Sequence, residues 1–177
     1  SYAKWWLNEF IHKSPHDRIG LLSFAGTAYL ECPLTLDRTT LLRKVKELNT
    51  AHLPVGGTNL QLALEEALKE FDEVPGPHQA ILLITDGDQV QGNYKEAIDE
   101  IKKRKIPIYV IGLGNPHSAG VVVDHQGQRQ KDEDQGLVIS RSDSNVMQNI
   151  AVESGGFYLP FDNNNAANTG VKTVANK

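Results

Sequence analysis

The sequence predicts an α/β domain: a Rossmann-like, mostly parallel sheet flanked by helices, with an antiparallel hairpin at its edge. Three observations carry that class. Ala80-Ile81-Leu82-Leu83-Ile84 and residues 106–113 are apolar runs of strand length, the pattern of strands covered on both faces. Between them, residues 94–104 place Ala97, Ile98 and Ile101 on one side at helical spacing, which makes a strand–helix–strand unit with parallel strands. Upstream, residues 19–24 and 27–32 read as two strands separated only by an Ala25-Gly26 turn, a hairpin.

The remaining elements follow in chain order. Residues 2–13 form a helix with Trp6, Phe10 and Lys13 on one side, stopped by Ser14-Pro15-His16-Asp17; Trp5 lies off that side, half exposed. Asp37 is the N-cap of a helix over 38–48 whose inner face is Leu41, Leu42, Val45 and Leu48. The loop Pro54-Val55-Gly56-Gly57 opens into a helix from about Thr58 to Phe71, with Leu60, Leu64, Ala67, Leu68 and Phe71 at core spacing. Pro107 sits near the start of its strand, where a missing donor is tolerated. Residues 120–123 and 136–139 flank the polar stretch 124–135 and read as the arms of an exposed hairpin. Ser142 or Asp143 caps a helix to about Glu153, Gly155-Gly156 ends it, and Phe157-Tyr158-Leu159 is a short last strand. Residues 1–162 thus form one domain, and 163–177, opening on Asn163-Asn164-Asn165, a polar tail or the start of a short helix.

Composition agrees with one globular domain. The 177 residues are 40% apolar and 23% charged, which excludes a disordered, collagen-like or coiled-coil chain. The longest apolar runs fall far short of the ~20 residues a membrane helix needs. Ser1 opens directly into an amphipathic stretch, so no leader is expected in this segment and the chain is read as soluble. The net charge of −4 comes with no basic cluster beyond Lys102 to Lys105 at a helix end, where lysines oppose the helix dipole, so nucleic acid is not an expected partner. The lone Cys32 excludes an intrachain disulfide and reads as a small buried hydrophobe.

Two segments have the chemistry of a site. In open α/β sheets ligands sit beyond the carboxyl ends of the strands. The strand at 80–84 emerges there into Thr85-Asp86-Gly87-Asp88, placing a carboxylate where apolar backbone has just ended, with Gly87 free to turn the chain away. Asp86 there is either a ligand for a metal or phosphoryl group or a turn aspartate bonding its own backbone. Gly56-Gly57-Thr58-Asn59-Leu60 opens a helix, a setting of exposed amides and favourable dipole that suits an anion, while the Thr58 hydroxyl suits Mg²⁺. Taken alone, Thr58 reads more simply as the helix N-cap, a very common use of Thr. The loop lacks the Lys-Ser/Thr ending of a phosphate-binding P-loop.

In combination the motifs resemble the von Willebrand factor A (VWA) domain family. The resemblance runs through residues 17–26, Cys32-Pro33-Leu34-Thr35, Gly56-Gly57-Thr58, Ile84-Thr85-Asp86-Gly87, residues 108–114 and residues 153–158. Phe24-Ala25-Gly26 with Cys32-Pro33-Leu34-Thr35, and the late hairpin, are most similar to the bacterial BatA/BatB aerotolerance-type branch. That resemblance implies a non-enzymatic interaction module with a metal-ion-dependent adhesion site, Thr58 and Asp86 being metal ligands and Asp88 an outer acceptor. The implied ion is Mg²⁺, with Mn²⁺ or Ca²⁺ as alternatives, and the implied partner a protein offering an acidic side chain to the open metal position. It also implies a membrane-anchored bacterial protein with this domain outside the bilayer, in the periplasm.

The chain departs from the family pattern in two respects. The Asp-x-Ser-x-Ser loop that supplies the main metal ligands is nowhere in the sequence; Ser140-Arg141-Ser142-Asp143-Ser144 comes nearest and lacks the leading acid. The family's leading strand, which would lie between the strands at Ile19 and Ile81, has no counterpart either. The expectation is a domain that is N-terminally incomplete or completed by another polypeptide, with a partial metal site and poor Mg²⁺ affinity. The competing reading is a Mg²⁺-dependent phosphatase of the haloacid-dehalogenase type, with Asp86 as nucleophile and Asp88 as general acid. Against it, that motif belongs on an early strand, and the acidic run Asp132-Glu133-Asp134 sits in a polar hairpin tip.

Overall fold

The computed structural model describes residues 2–49, 57–71, 78–87, 90–91, 93–113, 120–121, 139–140 and 144–160. Among the described residues, five helices and nine strands follow the order read above, with two short strands added. Helix α1, Tyr2–Lys13, leads into the hairpin of β1, Ile19–Phe24, and β2, Ala28–Thr35. The second arm runs past Cys32 through Pro33, farther than the periodicity suggested. Two shifts in register, between Ile19 and Leu21 and between Leu21 and Leu22, let the longer arm keep pairing, from Phe24 opposite Ala28 back to Ile19 opposite Thr35.

Helix α2, Arg38–Glu47, starts where Asp37 predicts. The Asp37 carboxylate accepts from the Thr40 amide at 3.0 Å and from the Thr40 hydroxyl at 2.6 Å. Those two donors, the hydroxyl first, hold its pKa below the ordinary value of 3.8. Leu41 and Val45 are fully buried, and Leu42 and Leu48 pack around them.

Strand β4, Ile81–Thr85, pairs in parallel with β6, Ile108–Gly112, and β6 pairs in parallel with β9, Tyr158–Pro160. The helix between β4 and β6 is α4, Lys95–Lys103. Residues alternate cleanly across this three-stranded sheet. Leu83, Ile108 and Val110 face Leu60 and Leu64 of α3 (Leu60–Lys69), Ile98 and Ile101 of α4, and Met147 and Ile150 of α5 (Ser144–Glu153). Leu82, Ile84, Tyr109 and Ile111 face the other way, onto Trp6 and Phe10 of α1. The two α1 rings stack with centroids 5.6 Å apart, and Trp6 is 1% exposed against 41% for Trp5, the division its helical spacing predicts.

Both later helices end in the same way. At α4, Lys105 donates its amide to Lys102 O at 3.0 Å and Ile106 to Ile101 O at 3.1 Å; at α5, Gly155 donates to Val152 O at 3.1 Å and Gly156 to Ala151 O at 2.8 Å. This is the Schellman termination, which needs a left-handed residue just past the helix. Gly155 supplies it at φ +82°, whereas α4 forces Lys105 into φ 56°. The turn after α5 then docks on β6: the buried Ser154 hydroxyl accepts from the Ile108 amide at 3.0 Å and donates to Ala151 O at 2.9 Å.

Among the described residues, β1–β2 and β4–β6–β9 are separate sheets, with no strand pairing β1 to β4. Two helices hold the sheets in one body. Helix α1 sends Trp6 and Phe10 to one sheet and Leu7 and Ile11 to the other, where Leu21 and Cys32 lie. On the opposite face α3 packs on β1, β2 and α4. The late hairpin forms as β7, Gly120–Val121, against β8, Ile139–Ser140, in antiparallel register. Its polar tip, the cap of α5 and residues 163–177 lie outside the described residues.

Candidate functional site

The loop into α3 and the loop out of β4 meet at the carboxyl end of the sheet. They meet through a pair of short strands that hydrophobic patterning does not reveal. Strand β3, Thr58–Asn59, pairs in parallel with β5, Val90–Gln91, with Thr58 opposite Val90 and Asn59 opposite Gln91. Val90 follows the end of β4 within one short loop, the loop that begins at Asp86. On its other side the Asn59 amide donates to Ala25 O, just past β1, at 2.6 Å. Thr58-Asn59 therefore lies between Ala25, just past the end of β1, and Val90-Gln91, downstream of β4.

Within this bridge the roles of Thr58 and Asn59 separate. The N-cap of α3 is Asn59, whose Oδ1 accepts from the Leu62 amide at 3.1 Å. The cap reading of Thr58 is thus corrected, and α3 starts at Leu60 rather than at Thr58. Asn is as good a cap as Thr, and it directly precedes the first buried leucine of the helix, a signal the sequence does contain. Thr58 is half-buried in β3, its hydroxyl outside the cap. Gly57 before it stands at φ 95°, a conformation only glycine adopts without strain.

Asp86 is placed by a turn of its own. The buried Thr85 hydroxyl accepts from the Gly87 amide at 3.0 Å, and Gly87, itself buried at φ 70°, swings the backbone back into the fold. Asp86, at the apex, is exposed. Gln61, the second residue of α3, adds a link not read from the sequence. Its Oε1 accepts from the Asn93 amide at 3.1 Å and its Nε2 donates to Glu65 Oε1 at 2.9 Å. Gly56 and Asp88 lie outside the described residues. Of the six predicted site residues, Gly57, Thr58, Asp86 and Gly87 thus fall on two loops joined through β3 and β5.

Hard oxygen donors such as the Thr58 hydroxyl and the Asp86 carboxylate suit Mg²⁺, which favours one or two carboxylates alongside retained waters. Their number is small. Among the described residues no group of three or more His, Cys, Asp or Glu side chains gathers as a metal site. By donor type the two residues suit the ion, and two donors are fewer than its octahedral shell takes.

This fold, a parallel three-stranded sheet with helices on both faces and an antiparallel hairpin beside it, defines a VWA-like α/β domain. The von Willebrand factor type A domain pattern matches residues 4–153, and the chain belongs to that family, whose members typically serve as protein-interaction modules. The chain is similar to BatB from Bacteroides thetaiotaomicron, at 24% identity over 99% of this chain and 84% of that one, with a TM-score of 0.86. It is also similar to an aerotolerance-related membrane protein from Bacteroides fragilis, at 25% identity over 98% of this chain and 86% of that one, with a TM-score of 0.84. A structure of proximal thread matrix protein 1 from the mussel byssus, with zinc in its adhesion motif, shares the fold at 15% identity and a TM-score of 0.66, over 98% of this chain and 41% of that one. An uncharacterized protein of Borreliella burgdorferi is 27% identical over 124 residues, 68% of this chain; the match spans only 36% of that relative's length. No helix among the described residues is long and apolar enough to cross a membrane.

Proposed function

We propose that this domain is a non-enzymatic protein-interaction module that docks partners on the carboxyl end of its sheet. Thr58 and Asp86 would hold Mg²⁺ there, or Mn²⁺ or Ca²⁺ in its place, and the open metal position would take an acidic side chain of the partner. The observation that carries this reading is the β3–β5 pairing with Asn59 as the cap. It draws the Thr58 loop to the Asp86 loop and leaves the Thr58 hydroxyl outside the cap. When bound, the ion supplies a charge-assisted contact to a carboxylate. The chain's own residues orient it: Gly57 and Gly87 let the two loops turn, and the Thr85 hydroxyl holds Asp86 at the apex.

The reading extends to the two sheets. The seat between β1 and β4, under α1 and over α3, suits a further apolar strand, supplied by this protein's own chain or by another polypeptide. Such a strand would cover two strand edges that have no partner strand among the described residues and would complete the metal shell at its carboxyl end. The similar Bacteroides fragilis protein is described as a membrane protein, which supports membrane association here; the domain would then stand outside the bilayer, on the periplasmic side of a bacterial membrane-anchored protein.

Titrating the labelled domain with Mn²⁺ tests the site. Paramagnetic broadening is expected to centre on the Thr58 and Asp86 amides and to vanish in Thr58→Ala and Asp86→Ala. Broadening centred elsewhere, or unchanged in both variants, would refute the assignment. Amide exchange tests the seat: the β4 amides not paired to β6 should exchange quickly in this chain and slow when a strand-bearing partner is added.

A further inference from the structure

We propose that Gln61 is a positioning residue that sets the separation of the Thr58 and Asp86 loops; the inference rests on the docking site above. Among the described residues, three hydrogen-bonded links tie the start of α3 to its surroundings. Thr58 and Asn59 pair with Val90 and Gln91, the Asn59 amide reaches Ala25 O, and the Gln61 carboxamide receives the Asn93 amide. Only the third is made by a side chain, and so only it is under direct control of residue type. A two-residue parallel bridge is a weak tether by itself, because parallel pairing is less stable per residue and each of its ends frays. The segment after β5 is fixed from the far side by Gln61.

The Gln61 carboxamide is oriented for this purpose. Its Nε2 is committed to Glu65 Oε1, one turn along the same helix face, so its Oε1 points back at Asn93. A glutamine can serve both partners at once because it carries a donor and an acceptor on the same planar group. Without the clamp, Asn93 loses its side-chain link to α3, and the short pairing of Val90-Gln91 with Thr58-Asn59 is left to hold the segment downstream of Asp86 beside Thr58. Metal affinity depends on donors preset in space, so a looser loop binds more weakly although neither ligand has changed.

The test compares wild type, Gln61→Leu, and the double exchange Gln61→Glu with Glu65→Gln, using Mn²⁺ alone as probe. The double exchange keeps both hydrogen bonds, with the polarity between the two side chains reversed. The carboxylate placed at position 61 would accept from the Asn93 amide and from the carboxamide placed at position 65. Gln61→Leu is expected to speed amide exchange at Asn93 and Gln91 and to weaken Mn²⁺ binding by about threefold to tenfold, the size of one hydrogen bond. The double exchange should restore both. Unchanged Asn93 exchange in Gln61→Leu, or loss without restoration in the double exchange, overturns the proposal. If wild type shows no Mn²⁺ broadening at Thr58 and Asp86, the metal reading fails, and the clamp is judged by exchange at Asn93 and Gln91 alone.

Discussion

Replacing Asn59 and Thr58 one at a time separates the scaffold of the site from its chemistry. In Asn59→Ala the Leu62 amide loses its 3.1 Å acceptor, and the first turn of α3 carries no acidic side chain to stand in. The backbone links of residue 59, to Ala25 O and to Gln91, do not involve its side chain and survive. The expected loss is that of one N-cap, about 1 kcal/mol. For a domain of this size that lowers the melting midpoint by about 2–4 °C. With a urea slope of about 2 kcal/mol/M, the unfolding midpoint moves down by about 0.5 M. Thr58→Ala removes no cap and leaves the backbone pairing of β3 with β5 in place, so it should stay within about 0.5 kcal/mol of wild type. Its effect should appear only in Mn²⁺ or Mg²⁺ binding. Urea melts read by circular dichroism, paired with a metal titration, decide the matter. If Thr58→Ala costs the 1 kcal/mol and Asn59→Ala nothing, Thr58 is the cap and the reasoning behind the site fails.

Three further outcomes follow from the scaffold. A methyl at Gly156 would overlap the Ile108 carbonyl, which is held in β6, so Gly156→Ala should destabilise by about 3 kcal/mol, seen as a large drop in urea midpoint. Lys105→Gly relieves the left-handed strain at the end of α4, where α5 already uses glycine, and should stabilise by up to about 1 kcal/mol in the same assay. The Asp37 pKa lies lower in the fold than its ordinary value of 3.8, so the carboxylate contributes stability above that value and loses it as pH falls through the folded pKa. Asp37→Asn keeps a capping side chain without the titration, and its stability should therefore fall less steeply than wild type in acid melts.

Much of the architecture was legible along the chain. The buried strands at β4 and β6, the amphipathic helix between them and the Asp37 cap are written in periods of a few residues, and each appears in place. Trp6 against Trp5 is the same kind of statement, a choice of helix face made by spacing alone. The order of the Gly-Gly-Thr and Thr-Asp-Gly segments pointed to the family whose pattern covers residues 4–153. Less legible was the seam between sheet and site. Strands β3 and β5 are two residues each, too short for any hydrophobic period, and only a partner distant in sequence makes them strands.

The sequence by itself thus determined which segments are strands and helices, where most of them stop, and which two loops carry a hydroxyl and a carboxylate. These properties rest on side-chain spacing and on hydrogen bonds within one turn. Tertiary structure alone decided that Asn59 rather than Thr58 caps α3, that Gln61 reaches Asn93, and that β1 and β4 share two covering helices without pairing to each other among the described residues. The physical reason is the same in each case. A carboxamide and a hydroxyl are both competent caps, and a strand edge accepts any backbone, so the choice falls to whichever partner the packing of α1 and α3 brings within about 3 Å.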